Sequence, residues 1–250
     1  MAQLTRSKLP PRLPCRTPDS RLGQPDGSRG ADRVRPAGCR RRVIGLLGGS
    51  FNPAHAGHRH ISLMALKRLR LDEVWWLVSP QNPLKPTDGM APFSERLAGA
   101  KGLARHPRIR VTGIEAGLRT TYTAETLQRL ARRLPRLRFM WLMGADNLAQ
   151  IHQWRDWQQI FHTVAVAVFA RPSYCLRALA SKAAHRFARN RMPESASGTV
   201  GRRPAPAWVF LVGPLSPLSA TAIRARRRSP RSDRPPGSQR TAGAGATTRG

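Results

Sequence analysis

Acidic residues are scarce in this chain. Of its 250 residues, 13 are Asp or Glu and 44 are Lys or Arg, giving a formal net charge of +31. No pair of carboxylates is spaced for general acid–base work. Cysteine is nearly missing too: Cys15, Cys39 and Cys175 have neither metal-ligand spacing nor the density of a disulfide framework. That excludes a zinc module and a stapled secreted domain, and a reducing, cytoplasmic setting is expected. No run approaches the roughly 18 apolar residues that cross a bilayer, so no membrane partner is expected. The basic head lacks the apolar stretch of a secretory signal, and its prolines with Asp19, Asp26 and Asp32 argue against an amphipathic transit peptide. No internal repeat is visible.

The abundant positive charge would ordinarily point to nucleic acid, but its distribution weakens that inference. Residues 1–42 and 225–250 together carry 18 basic and 4 acidic residues, and the span between them carries 26 and 9. Nearly all of it is arginine spread singly rather than massed on one helix. The middle span is still biased toward anions, and a nucleotide is an anion. Residues 1–40 contain Pro10, Pro11, Pro14, Pro18, Pro25 and Pro36 with little apolar periodicity. Such a composition buries too little surface to offset its ordering entropy, and disorder is expected there and in the Arg-, Ser-, Pro- and Gly-rich tail 225–250. One domain over 41–224 is the remaining expectation.

Within that span the pattern alternates. Val43–Leu47, Glu73–Ser79, Arg108–Val111, Phe139–Met143, Val164–Phe169 and Trp208–Val212 read as strands, most of them continuous apolar runs. Helices are expected from His55 to about Arg70, Ser94 to Ala104, Ala124 to Leu134, in one or two pieces over Asn147–Phe161, and over Leu176–Ala188, with Ser94 and Thr123 as caps. Trp75 and Trp76 are assigned to the core. Continuous apolar strands separated by helices indicate an α/β, doubly wound parallel sheet, whose ligands sit beyond the carboxyl ends of the strands.

Gly48-Gly49-Ser50-Phe51-Asn52-Pro53-Ala54-His55-Ala56-Gly57-His58 follows the first strand and opens the first helix. Glycines let a backbone approach a ligand closely, and a helix start offers free N–H groups and a positive dipole end. His55 and His58 are three apart and project from one helix face. After the last strand, Ser219 is a natural N-cap. The hydroxyls of Ser219 and Thr221 suit phosphate oxygens, and Arg224 can fork onto two of them.

The first of these runs resembles the nucleotidyltransferase superfamily, with its Gly-Gly-Thr/Ser-Phe-Asp/Asn-Pro loop and His-x-Gly-His. The segment at 218–224 is similar to the superfamily's Ile-Ser-Ser/Thr-x-x-Ile-Arg, departing at Leu218 and Ala220. Gly144-Ala145-Asp146-Asn147-Leu148 with His152-Gln153-Trp154 resembles the nicotinate-nucleotide adenylyltransferase branch. So do Thr121-Tyr122-Thr123-Ala124-Glu125-Thr126-Leu127, Asn82-Pro83-Leu84-Lys85 and Ala170-Arg171-Pro172. After Arg224 that family continues into a closing helix, which the composition of 225–250 does not resemble.

The resemblance implies a Rossmann-like nucleotidyltransferase fold and adenylyl transfer from ATP to nicotinate mononucleotide in NAD biosynthesis, with magnesium carried by ATP and no metal ligands from the protein. It further implies roles. Gly49, Ser50 and Phe51 form the phosphate loop, and His55 and His58 contact the reacting phosphates. Ser219, Thr221 and Arg224 hold the departing ones. Asp146 lies on the adenosine side, and Trp154 packs near the pyridine ring. Thr121, Tyr122 and Thr123 lie at the nicotinate end, and Lys85 and Arg171 belong to neighbouring substrate loops. Nicotinamide mononucleotide and phosphopantetheine are the alternative acceptors, the Asp146–Trp154 spacing and the Tyr122 segment arguing against the second. A basic nucleic-acid-binding protein is the alternative from a different class, and oligomeric state is left open.

Overall fold

The computed structural model describes residues 40–80, 89–171 and 174–213. The elements alternate along the chain: β1 (Arg42–Gly49), α1 (Ala56–Arg68), β2 (Glu73–Val78), α2 (Phe93–Ala104), β3 (Ile109–Thr112), α3 (Ile114–Leu118), α4 (Thr123–Arg133) and β4 (Leu137–Gly144). The second half holds α5 (Ala145–Gln150), α6 (Trp157–Thr163), β5 (Ala165–Phe169), α7 (Cys175–Leu179), α8 (Lys182–Arg186), β6 (Arg191–Met192), α9 (Ser197–Val200) and β7 (Trp208–Leu211). The strands form one sheet in the order β3-β2-β1-β4-β5-β7-β6, every pair parallel.

The doubly wound character follows from alternation within runs that are apolar throughout. Ile44, Leu46, Trp141, Met143, Val166 and Val168 point into a core on one face. Their neighbours Val43, Leu47, Met140, Leu142, Ala165 and Ala167 point into a second core on the other. A strand that buries both faces needs no polar partner position, hence the unbroken hydrophobic runs. Trp76 is fully buried, whereas Trp75 is half-buried and donates its indole N–H to Glu73 at 2.8 Å.

Several local differences from the sequence reading appear. The expected single helix over 176–188 is two short ones, because Ser181 starts a new helix: its hydroxyl accepts the Ala184 N–H at 3.3 Å. The edge strand β6 is two residues long, too short to show any periodicity, and pairs with β7 at Arg191 and Trp208. The caps of α2 and α4 are Pro92 and Tyr122 rather than Ser94 and Thr123. What matters for function is the strand order. It reverses between β1 and β4, opening a crevice at their carboxyl ends.

Candidate active site

The loop after β1 is shaped by close packing. A Cβ on Gly48 would lie 2.3 Å from a ring carbon of Trp141 on β4, so only glycine lets the strand end pass that indole. A Cβ on Gly49 would meet nothing nearer than the Phe51 ring at 3.5 Å. Phe51 itself adopts φ 48°, in the left-handed region that bulky residues avoid. Its ring is held there by stacking on Trp76 at 5.1 Å, with 2 % of the residue exposed. Phe51 was expected among the substrate contacts, but its side chain is a packing group, leaving only its backbone to face the loop.

A buried arginine fastens this loop to its neighbour. Arg96, from the first turn of α2, donates to the carbonyls of Ser50 and Ser79 at 2.7 Å through Nη1. It also donates to Pro80 at 2.7 Å through Nη2 and to Ala91 at 2.9 Å through Nε. The residue is buried, forms no ion pair among the described residues, and burial pushes its pKa down. Asn52 adds a second tie, donating to Gly89 O at 3.0 Å and accepting from Ala91 N at 3.3 Å.

The two histidines meet at the start of α1. His55 is the N-cap with extended backbone, and its N–H donates to His58 Nδ1 at 3.2 Å. The ring centroids are 3.9 Å apart. Accepting that N–H fixes the neutral His58 ring with its proton on Nε2. The His58 carbonyl accepts from Ser62 Oγ, which in turn accepts the Trp76 indole N–H at 2.7 Å, so the histidine turn is tied to the core. His55 is buried, and among the described residues its Nδ1 has no hydrogen-bond partner. Burial first, and the nearby Arg171 guanidinium second, depress its pKa to about 4, so the ring is neutral at pH 7.

Asp146 and Arg171 come from the ends of β4 and β5. Arg171 Nη1 lies 3.1 Å from Asp146 Oδ2, while Oδ1 is buried with no partner among the described residues. Asp146 caps nothing: Gly144 is the N-cap of α5 and receives no side-chain bond. A Cβ on Gly144 would sit 2.3 Å from Asp146 Oδ1, so glycine is what lets the carboxylate fold back against the strand end.

Beside these groups lies a cavity of about 410 Å³ at the β1–β4 switch point. Gly49, Ser50, Thr121, Tyr122, Thr123 and Trp154, all singled out from sequence, line it together with Trp141, Ser79, Glu115 and Arg155. The Arg155 guanidinium carbon stands 4.8 Å over the Tyr122 ring. Tyr122 begins α4 with no side-chain cap among the described residues, which leave the first amides of that helix available to an anion. Glu115, on α3, is buried in the cavity wall, and burial pushes its carboxyl up to about 7, moderated by hydrogen bonds to Thr126 and Ser79. Asp146 faces an adjoining hollow, not this one. Lys85, Ser219, Thr221 and Arg224 lie outside the described residues.

Residues 46–226 match the family model described as cytidylyltransferase-like. A probable nicotinate-nucleotide adenylyltransferase of Methylorubrum extorquens is 56 % identical over 183 residues, which are 73 % of this chain and 99 % of the relative. One of the same description from Cereibacter sphaeroides is 60 % identical over 74 % of this chain and 98 % of its own length. The chain belongs to the nicotinate-nucleotide adenylyltransferase family. Among solved structures, Plasmodium falciparum nicotinic acid mononucleotide adenylyltransferase complexed with NaAD aligns with a TM-score of 0.56 at 16 % identity, over 74 % of this chain and 83 % of that one. At that identity the likeness concerns the fold, a Rossmann-like nucleotidyltransferase sheet.

Nucleotidyltransferases of this family generally use a divalent metal. Among the described residues no three His, Cys, Asp or Glu side chains are grouped to hold one. The rim offers amides, hydroxyls and imidazoles, a donor set that fits a metal brought in on phosphate oxygens and water. Among the described residues no helix is long and apolar enough to cross a membrane. Sequence reasoning passed over Arg96, Glu115 and Trp141. Arg96 carries no signal in an arginine-rich chain. Glu115 does: it is one of nine acidic residues between 43 and 224, set in the apolar run Gly113-Ile114-Glu115-Ala116-Gly117-Leu118.

Proposed function

We propose that this chain transfers the adenylyl group of ATP to nicotinate mononucleotide, giving deamido-NAD and pyrophosphate. What carries the reading is a single cavity at the switch point that joins the glycine loop, the Tyr122 turn and Trp154, in a member of this adenylyltransferase family. The mononucleotide phosphate is already ionised near pH 7, so no base has to generate the nucleophile. It attacks the α-phosphorus in line and pyrophosphate leaves. Catalysis is then positioning and stabilisation of charge on phosphoryl oxygens.

Ser50 and the amide of Gly49 cradle phosphate. His58 donates from Nε2 to a phosphoryl oxygen, and His55, neutral in the free protein, contacts the reacting phosphates through its ring N–H. Asp146, steadied by Arg171, orients the adenosine. Trp154 packs on the pyridine ring, with Thr121, Tyr122 and Thr123 at its carboxylate end. Ser219, Thr221, Arg224 and Lys85 hold the triphosphate, and magnesium arrives as part of MgATP. The catalytic unit spans 41–224 between the extensions 1–40 and 225–250, and cytoplasmic work without nucleic acid is the setting this chemistry expects.

The test is pyrophosphate release from ATP and magnesium with nicotinate mononucleotide, nicotinamide mononucleotide or phosphopantetheine as acceptor. A marked preference for the nicotinate compound is expected, with His58→Ala lowering kcat by about two orders of magnitude. Release with none of the three, from folded protein, would refute the reading.

A further inference from the structure

Among the described residues Glu115 is the one carboxyl in the wall of the cavity, and its surroundings are unusual for a carboxylate. It is 7 % exposed. Its Oε1 lies 3.5 Å from Thr126 Oγ1, which also contacts Thr120 Oγ1 at 2.8 Å and the Tyr122 carbonyl at 3.2 Å. Ser79, at the end of β2, supplies a second hydroxyl. The Glu115 carbonyl accepts the Thr120 N–H at 3.2 Å, tying α3 to the turn that starts α4. No cation pairs with the carboxyl among the described residues. A buried carboxyl served only by hydroxyls is poorly placed to hold a negative charge.

The charged and titratable groups on the elements packed around it do not change this. On α4, Glu125 and Arg129 pair with each other at 2.5 Å. On β2, Glu73 sits at the far end of the strand with Arg42 and Arg110. Elsewhere in the cavity wall Arg155 stands over the Tyr122 ring and pairs with Asp156 at 3.7 Å. On its own element the next charge, Arg119, follows the helix and is exposed.

This inference rests on the reading of the cavity as the mononucleotide site. There the acceptor's pyridine ring carries either a carboxylate or a carboxamide at the same carbon. We propose that Glu115 is a specificity-determining residue that reads this substituent: protonated, it tolerates or donates to a carboxylate, and ionised, it repels the carboxylate and accepts from a carboxamide N–H. The same side chain thereby makes acid-over-amide selectivity depend on pH. Glu115 touches neither phosphate nor the reacting atoms in this scheme, so its effect falls on discrimination rather than on the rate of phosphoryl transfer.

The experiment measures kcat/KM of the full chain for nicotinate and nicotinamide mononucleotides from pH 5.5 to 9. The phosphate ionises alike in both substrates, so the acid-to-amide ratio cancels it. In the natural protein the ratio should fall by about tenfold or more across the range, with its midpoint near 7, since a like charge beside the carboxylate costs about that much. Glu115→Gln should flatten the ratio. Thr126→Val, which removes a hydroxyl that steadies the ionised form at constant volume, should move the midpoint to higher pH, a shift that a merely structural role would not produce. A ratio independent of pH in the natural protein, or an unchanged slope in Glu115→Gln, overturns the proposal while leaving the adenylyltransferase reading intact. Turnover of neither mononucleotide overturns both. Should Glu115→Gln not fold, the natural protein's ratio and the Thr126→Val midpoint still decide.

Discussion

Two adjacent glycines show how much a single residue can decide. Both stand in the Gly-Gly pair that opens the phosphate loop, and sequence treats them alike. The structure separates them. At Gly48 an added methyl would overlap Trp141, a buried indole that itself lines the cavity, whereas at Gly49 it meets the Phe51 ring at an ordinary distance. Overpacking against a buried ring forces side chains off their rotamers at about 1–3 kcal/mol. Gly48→Ala should therefore lower unfolding free energy by that amount in urea denaturation. Gly49→Ala should change stability by less than about 0.5 kcal/mol, and its effect should appear as weaker nucleotide binding. Equal destabilisation by both would show that the contact with Trp141 is relieved at little cost. The histidines follow the same logic: the His-x-Gly-His spacing places the rings together, but only the structure shows that one orients the other through a backbone N–H.

At the scale of elements, Arg96 sets how firmly the loops after β1 and β2 hold their shape. Its planar fork serves four carbonyls from both loops. Lysine offers three donors on a point charge and cannot span them. Arg96→Lys should cost about 1–3 kcal/mol through carbonyls left buried and unpaired. It should also raise KM for ATP and mononucleotide together, because Ser50 is one of the residues it holds. Arg40→Lys, which loses only an exposed ion-pair contact with Asp72, is the control and should stay within about 0.5 kcal/mol. These ties explain which parts of the molecule were legible beforehand. Six of the seven strands could be read, most of them because apolar runs such as Phe139–Met143 are buried on both faces and need no tertiary information. The glycine loop stood out by its place between a strand and a helix, and the Tyr122 turn and Trp154 only through their likeness to the adenylyltransferase family; the structure brings all three to one cavity. Arg96 could not, since its partners are backbone carbonyls 5 to 46 positions away and carbonyls leave no trace in a sequence. The break at Ser181 was available in principle, as a serine inside a helical run is a cap signal.

Across the whole molecule, two buried groups bias folding in opposite directions over one pH window. His55 titrates at 6.5 when unfolded and about 4 when folded. Below pH 6.5 the unfolded chain takes up a proton that the folded chain refuses, so this group's contribution to stability is lost as pH falls toward 4. Glu115 runs from 4.5 unfolded to about 7 folded. The folded chain keeps a proton that the unfolded chain releases, so its contribution is lost as pH rises from 4.5 through 7. The two shifts are similar in size, and between about pH 4.5 and 6.5 their slopes oppose. Glu73, held below its ordinary range by Trp75, Arg42 and Arg110 despite its burial, acts only under pH 4.5. The natural protein should therefore show a nearly flat Tm across that window. Glu115→Gln should lose stability as the pH is lowered through it, and His55→Gln as the pH is raised. Since about 1 kcal/mol moves Tm by some 2–4 °C in a domain of this size, slopes of several degrees are expected in scanning calorimetry. The double variant should be flat again. Parallel slopes in the natural protein and both single variants would mean that neither group is buried in the ionisation state assigned to it.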